Sequence, residues 1–286
     1  MKINDKKEIT EYGKAAVMTM WFGGANYGQT LQAFAVSQIT KKIGLTAYFQ
    51  NYDSDPARYF VASGKNPYLQ AINEFPYPNQ RFQAFDLFLR IWINLLALSE
   101  SSEDVGASIN EEGCYCVICG GDQIWNPNYK ELRPKIYVGA IPRIILPKFS
   151  YAASVGTGQI ASSDREYFDM LCRNIHRLDK ISVREESGKR LIEESWQRQS
   201  LLKKKISVVL DPVFMLSKEE WIEICEHDKE DISCGSFLFF YFVGRMDDHL
   251  SVVREIAKKR ELKICGVALL QDAPRENDID YYNNLS

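Results

Sequence analysis

The sequence predicts an α/β fold with parallel sheets covered by helices on both faces. Three observations lead to it. Apolar, strand-like runs alternate with segments of helical period along the whole chain; the runs have the composition of buried strands; and the first of them leads through a glycine-rich turn into a helix. With 286 residues, 45% of them hydrophobic and 26% charged, the composition is that of an ordinary globular protein with chain enough for about two domains.

Residues 15–20 read as the first strand, followed by the turn "WFGGANYGQ". Leu31, Phe34, Ala35 and Ile39 then share one helix face, and Gly44 stops that helix. A strand at 46–52 completes a βαβ unit, whose expected outcome is parallel pairing with a right-handed crossover. Residues 53–79, with four prolines, read as a long excursion. Phe82, Phe85, Leu89, Trp92 and Leu96 recur at helical spacing, and 99–113 read as a polar connection. Buried strands are expected at 115–119 and 144–150, helices at 167–175 and 185–196, and short strands at 180–183 and 206–210. Asp211 and Pro212 break the pattern, and Ser217 with Glu220 forms a capping box for a new helix. A strand at 237–243, a helix at 247–259 and a strand at 262–268 follow. The expected domains are therefore 1–212 and 213–286, the second with only two strands and two helices, and with "QDAPRENDIDYYNNLS" as a trailing loop.

Several function classes lose support at this level. The formal net charge of −3 gives no global basic field for nucleic acid or anionic membrane. The basic cluster at 203–205 directly precedes an apolar run and reads as a solvated strand entry. Seven cysteines without paired spacing do not suggest a secreted disulfide framework. The charged start "MKINDKKEITEYG" shows no signal-peptide core, and the longest apolar run, "FLFFYFV", is far too short to span a bilayer. The expectation is a reduced, cytoplasmic, soluble protein. Cys114, Cys116 and Cys119 lie inside an apolar strand without a fourth ligand nearby, so they read as small buried hydrophobes and no metal site is expected. His176, His227 and His249 have no flanking residues that would build a hydrolytic triad.

In doubly wound sheets ligands bind beyond the carboxyl ends of the strands, so the strand-end loops are the candidate site. In "FGGANYGQT", Gly24 and Gly28 permit close backbone approach, and the helix start beside Asn26 favours an anion; the same residues also suit a tight turn with Asn26 as helix cap. In "CYCVICGGDQIWNP", Asp122 and Gln123 can hydrogen-bond sugar hydroxyls and Trp125 offers a flat apolar face. The alternative is that Asp122 caps a turn and Trp125 fills a gap between loops. In "ISVREESGKRL", Arg184 can clamp a carboxylate or phosphate, or pair with Glu185, Glu186 or a distant acid.

Taken in order, "NYGQTLQAFAV", "VICGGDQIWNP", "FSYAASVG", "ISVREESGKRLI" and "VVLDPVFMLSKEEW" resemble the polysaccharide pyruvyl transferase family over most of residues 12–222, and several are typical of members from capsule and exopolysaccharide gene clusters. The resemblance implies two Rossmann-like domains facing each other as in glycosyltransferases of the B type. It also implies transfer of a pyruvyl group from phosphoenolpyruvate, a donor substrate, to a hydroxyl pair of a sugar or lipid-linked oligosaccharide, with no further cofactor. Arg184, with Gly24, Asn26 and Gly28, would then serve the donor, and Asp122, Gln123 and Trp125 the acceptor; no catalytic residue is assigned. Gln29 stands where many members carry an acid, and no Ser-Phe-His-Gly-like segment is found. On this ground the second domain is expected to be truncated and incomplete, with little activity and a tendency to self-associate. A nucleotide-sugar-dependent glycosyltransferase and a non-catalytic sugar-binding remnant are the alternatives.

Overall fold

The computed structural model describes residues 13–21, 26–51, 85, 88, 89, 91–128, 135–225, 236–241, 247–266 and 279–281. The chain divides into two compact units, one comprising Met1–Arg58 and Leu89–Trp221, the other Tyr59–Phe88 and Ile222–Ser286.

The larger unit is built on a parallel sheet. Strand β1 (Gly13–Met18) is central because its residues are small or slender and wholly apolar towards the end: Ala15, Ala16, Val17 and Met18 are all fully buried. On one side it pairs with β2 (Leu45–Phe49), which pairs with the short β3 (Asn94–Leu95). On the other it pairs with β4 (Cys114–Gly120), which pairs with β5 (Lys148–Tyr151). All four pairings are parallel, in the order β3-β2-β1-β4-β5. Parallel bridges Phe149–Lys180 and Ala153–Val183 then join β5 to β6 (Ile181–Val183), itself parallel to β7 (Ile206–Val208). Strand order thus runs 3-2-1 one way and 4-5-6-7 the other, reversing between β1 and β4, which is the doubly wound arrangement.

Helices lie on both faces, as strand alternation requires. Val17 of β1 packs with Ala47 and Phe49 of β2 and with Ala33 and Val36 of α1 (Tyr27–Lys42). Its neighbours Ala16 and Met18 point the other way, into the main core with Val105 and Ile109 of α2 (Ser102–Glu111). That core continues through Phe168 and Ile175 of α3 (Arg165–Ile175) to Ile192 and Trp196 of α4 (Glu186–Arg198). Each such fully buried large side chain contributes roughly 1.5–3 kcal/mol of transfer free energy.

Pro212–Met215 forms a single turn, and the expected box caps α5 (Lys218–Cys225): the Ser217 hydroxyl accepts from the Glu220 N–H at 3.2 Å and Glu220 accepts from the Ser217 N–H at 2.8 Å. The Trp221 ring meets Phe34 of α1 at 5.5 Å between centroids and Lys42 pairs with Glu220 at 2.8 Å, so the larger unit runs on to Trp221. The smaller unit holds β8 (Phe237–Phe240), α6 (Asp247–Arg260), β9 (Lys263–Gly266) and β10 (Ile279–Tyr281), with parallel sheet order β10-β9-β8 and a core of Phe240, Leu250, Val253, Ala257 and Ile264.

The structure differs from the sequence reading in several elements. Residues 99–113 are not a polar connection, because they contain α2, whose core contacts rest on Val105 and Ile109 one turn apart. The helix expected to run to Leu96 gives way to β3, and the Leu96 N–H joins the sheet by donating to the Phe49 carbonyl at 2.9 Å. The strand expected from 144 starts at Lys148, after Pro147, while Ile145 is fully exposed. The tail is not wholly loop: Ile279–Tyr281 is an edge strand that takes its order from pairing with β9. The residues 53–79 lie outside those described, as do His227 and the end of the strand expected at 237–243.

Candidate functional site

The carboxyl ends of β1, β4, β5, β6 and β7 lie along one edge of the sheet, and the switch point lies between the first two. At the start of α1, Asn26 is the helix cap, its Oδ1 accepting from the Gln29 N–H at 3.3 Å. Gly28 has only ordinary contact space, its nearest neighbour being that same Oδ1 at 3.4 Å from a notional Cβ. Gly24 lies outside the described residues.

At the end of β4 two glycines are obligatory. Gly120 has φ +143 and would place a Cβ 2.0 Å from the Tyr151 carbonyl oxygen; Gly121 has φ +91 and would place one 2.1 Å from Gln32 Oε1. They let the chain turn sharply into Asp122, whose Oδ1 accepts from the Gln123 N–H at 2.6 Å while its carbonyl accepts from Ser154 N–H at 3.0 Å. Gln123 Oε1 in turn accepts from Asn126 Nδ2 at 2.9 Å. Both Asp122 and Gln123 are half-buried. Trp125 does not present a ring face here. It is 1% exposed, and its indole N–H donates to the Tyr137 carbonyl at 3.0 Å, so it packs under the loop as part of the core. The reason is local: Gly120–Gly121 fold the loop back over the sheet, and the largest apolar group in it goes inward.

The end of β5 breaks the ladder at Ala152, which takes a left-handed conformation at φ +49. Two serines replace the lost ladder bonds. Ser150 Oγ donates to the Ser182 carbonyl at 2.9 Å, Ser182 Oγ donates to the Ser150 carbonyl at 2.8 Å, and Ser182 Oγ accepts from the Ala152 N–H at 3.2 Å. The kink carries Ser154 beside Glu185, whose Oε1 accepts from the Ser154 hydroxyl at 3.0 Å and the Val155 N–H at 2.8 Å.

Arg184 follows β6. Its Nη1 donates to Asp211 Oδ2 at 2.5 Å and its Nε lies 3.8 Å from Glu185 Oε2, so it is an ion-paired arginine, with its side chain 28% exposed. Asp211 is itself fixed by accepting from the Val213 N–H at 3.1 Å. Tyr151 stands close by: burial, and then the charge of Asp211, raise its phenol above the usual value. Asp122, Gln123 and Arg184 are thus tied into one constellation through Ser154 and Glu185. Sequence reasoning named Glu185 only as a possible partner of Arg184 and passed over Tyr151 and Ser154; Asp211, in "LDP", was visible only as a strand breaker, and the structure makes it the distant acid that Arg184 pairs with.

The remaining candidates are structural. Cys114, Cys116 and Cys119 are buried in β4, and burial pushes the thiols up, to about 11 for Cys114 and about 12 for Cys119. His176 makes a 2.8 Å ring-nitrogen contact with the Leu202 carbonyl and stacks edge-on to Trp196. Among the described residues no group of three or more His, Cys, Asp or Glu could hold a metal ion, and no helix is long and apolar enough to cross a membrane.

A parallel sheet wound in both directions from β1, with its polar side chains gathered at the strand ends next to the reversal, defines an α/β protein of the class that binds ligands at a switch point. The sequence model of the polysaccharide pyruvyl transferase family matches residues 26–283, and the chain belongs to that family, whose transferases act in polysaccharide synthesis. No curated protein matches the sequence. Because the match extends to residue 283, the expected truncation is not borne out, and the inactivity inferred from it loses its basis.

Proposed function

We propose that this protein transfers a pyruvyl group from phosphoenolpyruvate to two hydroxyls of one sugar in a capsule or exopolysaccharide precursor, acting in the cytoplasm on a free or lipid-linked acceptor. The family match carries this reading. In the reaction the enolpyruvyl methylene gains a proton, the resulting oxocarbenium-like carbon is attacked by one hydroxyl, and the second hydroxyl displaces phosphate to close the ketal. Such chemistry needs a cation for the donor's carboxylate or phosphate and acceptors for two hydroxyl protons.

The strand-end constellation offers both. Arg184 is the cation: Asp211 engages Nη1 and orients the guanidinium, and no hydrogen bond engages Nη2 among the described residues. Asp122 and Gln123 are oxygen-bearing groups at the mouth of β4, and the buried Trp125 fixes the loop that carries them.

The test is purified protein with phosphoenolpyruvate and a set of acceptor sugars, following phosphate release and the mass of the sugar. Phosphate release that requires the sugar, with one pyruvyl group gained per acceptor, is the expected result. Sugar transfer from a nucleotide-sugar without phosphoenolpyruvate would replace this reading with glycosyl transfer. Arg184→Ala is expected to weaken phosphoenolpyruvate binding by about 1.5–3 kcal/mol, the range for hydrogen bonds to charged groups; an unchanged titration would remove Arg184 from the donor site.

A further inference from the structure

Lys148 opens β5, and Leu178 lies in the turn between α3 and β6, so both stand at the amino edge of the sheet, opposite the strand-end constellation. Between them lies a cavity of 320 Å³, a size that takes a small ligand. Val138, Ile141, Pro142 and Leu178 give it an apolar wall, and Lys148, Arg177 and Asn174 supply its polar side chains. Gly139 holds φ +66, and a Cβ there would press to 3.2 Å on Lys148 Cδ, so the bare backbone lets the lysine stem lie across it. Lys148 is half-buried, and its ammonium is near enough to the Cys119 thiol to oppose in part the rise that burial imposes there. Among the described residues no hydrogen bond or ion pair engages Lys148 Nζ or the Arg177 guanidinium. The neighbouring acid, Asp179, is turned to the backbone, its Oδ2 accepting from the Lys148 N–H at 2.8 Å. Arg177 is not needed to close α3 either. The Cys172, Asn174 and Ile175 carbonyls already accept from the N–H groups of His176, Arg177 and Leu178 at 2.9, 3.0 and 3.0 Å. Two cations without counter-ions therefore line one cavity, and desolvating the half-buried one is a cost that a bound anion would offset.

We propose that this cavity is a second ligand site, which binds a small phosphate monoester: Lys148 and Arg177 hold the phosphate, and Asn174 Oδ1 accepts from a hydroxyl of the ester's body. Two cations match a phosphate dianion better than a singly charged carboxylate, and the guanidinium can give it paired N–H groups. Asn174 Nδ2 donates to the Met170 carbonyl at 3.2 Å, which leaves its Oδ1 as the acceptor the amide can offer. The apolar wall receives the carbon skeleton. The length of β5, roughly 10 Å, separates Lys148 from Tyr151 in the strand-end constellation, so one phosphate cannot engage both. The site thus stands independently of the pyruvyl transfer reading.

The experiment titrates glycerol 3-phosphate, with glycerol as the uncharged comparison, at constant ionic strength. It uses wild type, Lys148→Met, Lys148→Arg, Arg177→Met, Arg184→Ala and Lys258→Met. Methionine keeps an unbranched apolar stem and removes the charge; Lys258, exposed in the smaller unit, controls for net charge alone. The expected result is saturable binding of glycerol 3-phosphate, and none of glycerol, to wild type, Arg184→Ala and Lys258→Met with similar affinity. Lys148→Met and Arg177→Met should bind at least tenfold more weakly, and Lys148→Arg should restore most of the loss. Should Lys148→Met fail to fold, Arg177→Met, at an exposed residue, decides alone. No saturable binding by wild type, or unchanged affinity in both methionine variants, overturns the proposal. Binding lost in Arg184→Ala and kept in the methionine variants places the phosphate at the strand ends and also overturns it. An equal loss in Lys258→Met shows general charge attraction and overturns it as well.

Discussion

Ala152 sits at φ +49 at the end of β5, a conformation that L-residues avoid, and it persists because Ser150 and Ser182 take over the hydrogen bonds that a regular ladder would have made. Removing the Ser182 hydroxyl leaves the Ala152 N–H and one Ser150 carbonyl lone pair without that partner. Ser182→Ala should therefore lower stability by about 1–3 kcal/mol. Urea titration checks this: the midpoint should fall with an unchanged slope. Trp125 gives a second residue-level prediction. As a core residue its truncation to Ala should cost roughly 3–5 kcal/mol, visible without any sugar present. If Trp125→Ala were as stable as wild type and lost only sugar affinity, the ring would have to leave the core to meet a ligand.

At the level of elements, α2 shows how a helix can hide in a polar stretch. Its start is closed by a box in which Ser101 Oγ accepts from the Asp104 N–H at 3.2 Å and Asp104 accepts from the Ser101 N–H at 2.9 Å. Ser101→Ala should cost about 1 kcal/mol. The hydroxyl of Ser101, helped by the backbone N–H groups of Ser101 and Glu100, holds the Asp104 carboxyl below its usual range. A carboxyl lowered on folding contributes stability that is fully present above its unfolded value, 3.8, and is lost as pH falls through the folded value. The stability difference between wild type and Asp104→Asn should accordingly narrow as pH is taken below 3.8, measured as paired urea midpoints. An unchanged difference would mean that the box does not depend on the charge. Glu112, held low by Lys14, has the same sign and protects the link between β1 and the end of α2.

For the molecule as a whole, the buried thiols are built-in reporters of the two units. Cys114, Cys116, Cys119 and Cys172 lie in the larger unit and Cys265 in the smaller, all of them buried. Burial holds Cys119 and Cys172 up to about 12, so their thiolate fraction at neutral pH is negligible. Labelling with a thiol reagent across a urea gradient, mapped by peptide mass, should leave all five unmodified until their unit unfolds. Two separated labelling transitions would show that the units unfold independently, and rapid labelling of Cys119 in the absence of urea would contradict the burial that the fold assigns to β4.

The sequence by itself determined the α/β class, the order of most strands and helices, the glycine pair that ends β4 and the Ser217–Glu220 capping box, because hydrophobic period, glycine and serine act over a few residues and leave their mark locally. Family membership was legible for the same reason, in contiguous blocks such as "VICGGDQIWNP". What only the tertiary structure decided is how distant groups meet. Arg184 finds Asp211 twenty-seven residues on, Ser154 finds Glu185, and Trp125 turns inward while Gln32 is left with a buried oxygen facing Gly121. β3 and β10 likewise exist only by pairing, each two or three residues long, with too little apolar pattern of its own to read. Local propensity is additive along the chain, whereas burial and long-range hydrogen bonding depend on which strands lie side by side, and that ordering is fixed only when the whole sheet assembles.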